Sequence, residues 1–192
     1  MCEWNPEAAK ALRFNLSDNG VAERATVLEG DCRILAQQHK LVDMFDRVSL
    51  GLLPSSEGGW WTAVQALRKA TGGWLHVHGN VPAKEVEVWT IWLCGCLFKM
   101  VQKLEHAPKH KWSVVCTHVE KVKSFAPTVN HYVADVFLGS PDSIGLESSV
   151  GPGRVGIIDK EGNATIVDVS TPLNIPSCAL SEDGVLHQEW MR

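Results

Sequence analysis

Two acidic residues stand where predicted strands end, and their carboxylates could accept hydrogen bonds from a nucleoside. Glu3 follows the remainder of a strand and stands two residues before Asn5, and Asp31 follows a short strand predicted at residues 25–29. At the carboxyl ends of parallel strands, such acids bind ribose hydroxyls or the amino group of an adenine ring. Acids in these positions also cap helices, so the pattern by itself leaves both roles open.

A second segment of interest, residues 46–57, covers the end of the next predicted strand and the loop after it. Gly51 in this segment has no side chain, which would let a ligand or another backbone approach closely. The segment continues with Pro54, Ser55 and Ser56, and the two serine hydroxyls could bond a substrate phosphate or base. A simple loop whose serines cap the helix beginning near Trp60 explains these residues equally well.

Histidines on one predicted strand raise the question of a metal site. His76 and His78 are two residues apart and therefore point to one face of their strand, and His118 lies on a later strand. A metal pair is conceivable, but histidines satisfied in the core or at the surface are several times more common. We therefore predict no metal site, and no residue is identified as a general base.

The elements that must position these residues alternate between strand and helix. Asn5 and Pro6 mark the start of a helix with an apolar face at Ala8, Leu12 and Leu16. Later strands are predicted at residues 45–53, 74–78, 112–118 and 131–138, and helices at residues 60–67 and 86–104, with a weaker helix ending near residue 39. This alternation predicts an α/β fold with a mostly parallel sheet, closed by two consecutive strands.

Composition and charge restrict the class of protein. The chain has 192 residues, of which 45% are apolar and 21% charged, as in ordinary globular domains. Its net charge of −4 gives no sign of the basic stripe of a typical nucleic-acid binder, and the cluster Lys109-His110-Lys111 is interpreted as a solvated helix end. Seven of the eight tryptophans fall mostly at positions that look core-facing and are interpreted as core packing; they are Trp4, Trp60, Trp61, Trp74, Trp89, Trp92 and Trp112.

The six cysteines contain no C-x-x-C pair, which favours a reduced, intracellular compartment over a disulfide framework. The apolar stretch at residues 86–104 is interrupted by charged residues, so it is interpreted as a buried helix and no membrane association is predicted. We predict a sheet domain at residues 1–138. The segment 139–192 is rich in Gly, Ser and Pro and is predicted to be a tail of low order with one strand pair near residues 155–169.

Five sequence blocks in order resemble a known family. They are C-E-W-N-P at residues 2–6, G-D-C-R at 30–33, D-R-V-S-L-G-L-L-P-S-S at 46–56, G-G-W-L-H-V-H-G-N at 72–80 and V-K-S-F-A-P-T-V-N-H at 122–131. Together they resemble the tRNA wybutosine-synthesizing protein 2 family. They are more distantly similar to the tRNA guanine-37 N1-methyltransferases of the same S-adenosylmethionine-dependent, class I methyltransferase-like superfamily.

This resemblance implies a Rossmann-like sheet whose last strand is antiparallel. It also implies transfer of the 3-amino-3-carboxypropyl group of S-adenosylmethionine to the tricyclic base at position 37 of phenylalanine tRNA, in the cytoplasm. The residues expected to bind the co-substrate are Glu3, Asp31, Cys32 and Gly51, and those expected to bind the tRNA base are Pro54, Ser55 and Ser56.

The chain departs from the family pattern at its start. The family's first strand and glycine-rich loop would stand just before Cys2, where this chain has Met1, so we expect an incomplete sheet with weakened binding of both co-substrate and tRNA. Two alternatives stay open: an inactive fragment that acts by protein interaction, and a guanine-37 N1-methyltransferase. Gly51 stands where the methyltransferases have an asparagine, which favours aminocarboxypropyl transfer.

Overall fold

The computed structural model describes residues 1–104 and 112–180, so the basic cluster at residues 109–111 and the end of the predicted tail lie outside the described residues. The chain divides into two compact units, residues 1–42 and residues 43–192. The described strands form two separate sheets, one in each unit, rather than one continuous sheet.

The first unit is a two-stranded parallel sheet with two helices. Strand β1 (Cys2–Glu3) pairs with β2 (Leu28–Glu29), and the helices are α1 (Pro6–Asp18) and α2 (Cys32–Gln38). The predicted start of α1 is confirmed, because the Asn5 side chain accepts a hydrogen bond of 3.0 Å from the Glu7 amide. Strand β2 is shorter than the predicted strand at residues 25–29, because only Leu28 and Glu29 pair with the two residues of β1.

The second unit contains a six-stranded sheet in the order β3-β4-β6-β5-β7-β8. Its strands are β3 (Arg47–Leu50), β4 (Gly73–Pro82), β5 (Ser113–Ala126), β6 (Val129–Gly139), β7 (Val155–Ile158) and β8 (Ala164–Val167). The pairing makes β3, β4, β5 and β7 run in one direction and β6 and β8 in the other. The α/β class and the antiparallel strand that follows the parallel ones are therefore confirmed.

The core of the second unit lies between this sheet and helices α3 (Trp60–Ala66) and α4 (Val86–Lys103). Trp60 and Trp92 pack with ring centroids 5.4 Å apart, and Leu93 and Leu97 are completely buried. Burial of each such side chain contributes about 1.5–3 kcal/mol. Tryptophan packing is confirmed for most positions, but Trp4 is 70% exposed because it lies in the short turn between β1 and α1.

The segment after residue 138 contributes further elements to the second unit. A short helix α5 (Glu147–Val150) precedes β7 and β8, and these strands form the predicted pair, in which β7 lies beside β5. A domain boundary at residue 138 stays a prediction. None of the helices within the described ranges is long and apolar enough to cross a membrane.

Candidate functional site

Glu3 and Asp31 lie at the carboxyl ends of two neighbouring parallel strands. Glu3 is in register with Glu29, and the Gly30 amide donates a hydrogen bond of 2.9 Å to the Glu3 carbonyl oxygen. Asp31 follows immediately as the cap of α2. The predicted placement of these two acids on adjacent strand ends is therefore confirmed.

Both carboxylates already have local hydrogen-bond partners. Glu3 Oε1 accepts a hydrogen bond of 2.8 Å from the Asn5 amide, and Asp31 Oδ1 accepts one of 2.8 Å from the Arg33 amide. The Arg33 guanidinium also bonds the Asp31 carboxylate, and this contact lowers the pKa of Asp31 below its ordinary value. A carboxylate has about four acceptor positions, so a capping acid retains the capacity to bind a nucleoside.

Cys32 is the first residue of α2 and is half-buried beside Asp31. Burial raises the pKa of its thiol, and the negative charge of Asp31 raises it further. The thiol is therefore neutral near pH 7 and unsuited to nucleophilic attack, because the thiolate is the reactive form. A contact of Cys32 with the co-substrate stays a prediction.

The remaining predicted site residues follow β3 in the second unit. A Cβ atom built on Gly51 would meet nothing within 4 Å, so the backbone there borders open space. The Pro54 carbonyl accepts a hydrogen bond of 3.0 Å from the Asn80 amide, which ties this loop to β4. The Ser55 hydroxyl accepts a hydrogen bond of 3.3 Å from the Glu57 amide. Ligand contacts of Gly51, Pro54 and Ser55 stay predictions.

Ser56 differs from its neighbours because it is buried. Its hydroxyl accepts a hydrogen bond of 3.1 Å from Trp60 Nε1 and donates one of 3.4 Å to the His78 carbonyl oxygen. These two bonds fix the loop between β3 and α3 against β4. In this structure the Ser56 hydroxyl therefore has an internal role, and its predicted contact with substrate stays a prediction.

Pro54 and Ser55 line a cavity of about 280 Å³ at the end of β4. Its other lining residues are Glu57, Trp60, His78, Gly79, Asn80, Trp89, Phe125, Ala126, Val129 and Cys178. Asn80 is only 8% exposed, and its Oδ1 atom has no hydrogen-bond partner among the described residues. A buried acceptor without a partner costs about 1–3 kcal/mol, so a bound polar ligand would relieve this cost.

The sequence alone did not indicate that the residues around Asn80 form part of a site. One signal was available, because a Cβ atom on Gly79 would lie 2.9 Å from Trp89 Cζ2. Glycine inside a strand often marks such a close approach. Cys178 carried no signal, since it lies almost one hundred residues further along the chain.

The histidines of β4 pair with residues of β6. His76 Nδ1 lies 2.6 Å from Asp135 Oδ1, and His78 Nδ1 lies 3.0 Å from His131 Nε2. Burial, assisted by the neighbouring His131 and His76, lowers the pKa of His78. His118 instead contacts Glu120, and the described part of the chain contains no group of three side chains arranged to hold a metal ion.

No family model matches the chain. Over 70% of its length it is 48% identical to the Arabidopsis thaliana tRNA wybutosine-synthesizing protein 2/3/4, of which it covers 13%. It is 37% identical to the Danio rerio tRNA wybutosine-synthesizing protein 2 homolog and 34% identical to the human one, of which it covers 38% and 39%. The chain thus spans between about an eighth and two fifths of the length of these curated relatives.

The fold of this chain is similar to the folds of several solved structures. TYW2 from M. jannaschii, determined in complex with AdoMet, superimposes with a TM-score of 0.59 at 23% identity, over 72% of this chain and 56% of that one. P. horikoshii TYW2 in complex with MeSAdo gives a TM-score of 0.57 at 23% identity, over 72% of this chain and 47% of that one. These likenesses establish the Rossmann-like fold.

Proposed function

We propose that this chain, a homologue of tRNA wybutosine-synthesizing protein 2 over 70% of its length, acts in aminocarboxypropyl transfer from S-adenosylmethionine to tRNA. The acceptor in this proposal is the tricyclic base at position 37 of phenylalanine tRNA. Because tRNA is the proposed substrate, we place the activity in the cytoplasm.

One structural observation carries the proposal. The parallel register of Glu3 with Glu29 brings the carboxylates of Glu3 and Asp31 to the same end of one sheet. Acids at this end suit a nucleoside, because the ribose presents two hydroxyl donors and adenine presents an amino donor. The chemistry of these two side chains therefore fits S-adenosylmethionine as co-substrate.

The reaction requires mainly positioning from the protein. S-adenosylmethionine supplies a carbon that is activated by a positively charged sulfur, and displacement there gains most from correct orientation. We assign the nucleoside to Glu3 and Asp31, with Cys32 beside them. Gly51 leaves open space beyond β3, and Pro54 and Ser55 border the cavity that would receive the acceptor base.

The proposal is tested by mass spectrometry of tRNA. The full chain is incubated with S-adenosylmethionine and phenylalanine tRNA that carries the tricyclic base, and the nucleosides are then analysed. We expect the tricyclic nucleoside to gain a 3-amino-3-carboxypropyl group, whereas tRNA with unmodified guanosine stays unchanged. A gain of a single methyl group would instead support guanine N1-methylation, and no gain would favour an inactive chain.

A further inference from the structure

The C-terminal part of the described chain is anchored to the start of α4. Glu85 Oε2 accepts a hydrogen bond of 2.7 Å from the Ser177 amide and one of 2.8 Å from the Ser177 hydroxyl. These bonds hold a single 3₁₀ turn, Ser177–Ala179, and Ala179 at its end is completely buried. We call this element the C-terminal turn.

A second contact holds the segment that leads into the C-terminal turn. Leu173 packs directly over Gly95 in α4, so closely that a Cβ atom on this glycine would collide with the leucine side chain. Val169 approaches the same glycine. The segment is therefore held at two separate places, at Gly95 within α4 and at Glu85, the residue just before α4.

This anchoring carries Cys178 into the wall of the cavity that Pro54 and Ser55 also line. The cavity volume of about 280 Å³ is near the lower limit of ligand sites, which span about 300–1,000 Å³. A cavity of this size suits a ring system rather than a whole nucleotide. The size of each side chain in its wall therefore affects which ring can enter.

The chemistry of the cavity points to a planar ring with polar edges. Trp60 and Trp89 supply aromatic surface, and Asn80 supplies a buried amide oxygen that has no partner within the described residues. Burial raises the pKa of the Cys178 thiol to about 12, and the carboxylates of Glu57 and Glu85 add to this effect. The thiol is thus neutral and forms an apolar wall rather than a nucleophile.

We propose that Cys178 is a specificity-determining residue, which the C-terminal turn carries into the acceptor cavity to limit the size of the planar heteroaromatic ring that binds there. The inference rests on the proposed function, because that function supplies the acceptor base. The five blocks that carry the family resemblance end at His131, so this wall lies outside them.

The first test determines how the size of the side chain at position 178 changes the affinity for a two-ring nucleoside relative to a three-ring nucleoside. The full chain is titrated by calorimetry with guanosine, which has two fused rings, and with 1,N2-ethenoguanosine, which has three. The measured quantity is the ratio of the two dissociation constants. We expect C178M to disfavour the three-ring nucleoside at least fivefold relative to guanosine, and C178A to shift the ratio in the opposite direction.

Cys96 provides a matched control. It is 3% exposed, burial raises the pKa of its thiol to about 12, and it does not line the cavity. C96A should therefore leave the ratio unchanged. The proposal is overturned if C178A and C178M both keep the wild-type ratio, or if neither nucleoside binds the wild-type chain at millimolar concentration. If C178M does not fold, as judged by circular dichroism, the C178A ratio decides.

The second test measures access to the Cys178 thiol by alkylation and peptide mass spectrometry. Guanosine should slow the alkylation of Cys178 in the wild-type chain. E85A should accelerate this alkylation several-fold, because alanine removes the oxygen that accepts both hydrogen bonds from Ser177, whereas E87A in the first turn of α4 should not. Equal alkylation rates in E85A, E87A and wild type would contradict the anchoring role of Glu85.

These measurements separate the two proposals. A size-dependent nucleoside affinity without any transfer to tRNA would support the cavity wall and contradict the proposed function. Transfer to tRNA with a ratio that does not depend on residue 178 would support the function and contradict the role of Cys178.

Discussion

The proposed contact of Glu3 with the nucleoside can be tested by the substitution E3Q. Glutamine retains an oxygen that can accept the hydrogen bond from the Asn5 amide, so the turn between β1 and α1 should persist. The free energy of unfolding should therefore change by less than about 0.5 kcal/mol, as for most surface substitutions. The change removes the negative charge and replaces one acceptor oxygen with an amide donor.

The expected effect on binding follows from the strength of hydrogen bonds to charged groups. Such bonds contribute about 1.5–3 kcal/mol, and each 1.4 kcal/mol corresponds to about a tenfold change in dissociation constant. Glu3 is only partly buried, so solvent screening places the loss near the lower limit. We expect the dissociation constant for S-adenosylmethionine to rise about tenfold in E3Q.

Glu29 offers the matched control, because it stands in register with Glu3 on the neighbouring strand. Its carboxylate pairs with Arg13 at 3.0 Å, and E29Q removes the same charge from the same sheet. The assay is an NMR titration with S-adenosylmethionine to millimolar concentration, since weakened binding is expected. Equal affinities for wild type, E3Q and E29Q, or an equal loss in both variants, would refute a nucleoside contact of Glu3.

Three further predictions concern the cavity and its supports. G79A should lower the free energy of unfolding by about 1–3 kcal/mol in urea denaturation, because the new methyl group would lie 2.9 Å from Trp89; wild-type stability would contradict this packing. S56A should cost about 1–3 kcal/mol in the same assay, because the indole N–H of Trp60 loses its buried acceptor; an unchanged urea midpoint would show that this bond is dispensable. Burial lowers the pKa of His78 below 6.5, so the unfolded chain binds more protons in mildly acidic solution. The stability that neutral His78 contributes is therefore present above pH 6.5 and is lost as the pH falls through the folded-state pKa. We expect H78Q to reduce the difference between the urea midpoints measured at about pH 7.5 and about pH 5.

Local sequence signals predicted most elements and placed two of the predicted site residues at strand ends. Asn5 and Pro6 gave the start of α1, since a helix cap depends only on adjacent residues. The alternation of strands and helices placed Glu3 and Asp31 at strand ends, and the parallel pairing of β1 and β2 agrees. Trp4 was interpreted as core packing together with the other tryptophans, and its 70% exposure shows that a tryptophan near a predicted element need not be buried.

The role of Ser56 depends on tertiary contacts. From the sequence, the Ser56 hydroxyl was interpreted either as a substrate contact or as a helix cap. In the structure it forms hydrogen bonds with the Trp60 side chain and the β4 backbone. These partners depend on how α3 packs against β4. The spacing of residues in the sequence does not predict how α3 packs against β4.

The sequence by itself determined the α/β class, the order of the elements and the acids at the strand ends, because helix caps and hydrophobic periods arise from residues close together in the chain. The tertiary structure decided how the cavity is built. Its wall combines the loop at Pro54, the end of β4 at Asn80 and the distant Cys178. Contacts over such separations depend on sheet register and on the anchoring of the C-terminal turn by Glu85, and neither leaves a local pattern in the sequence.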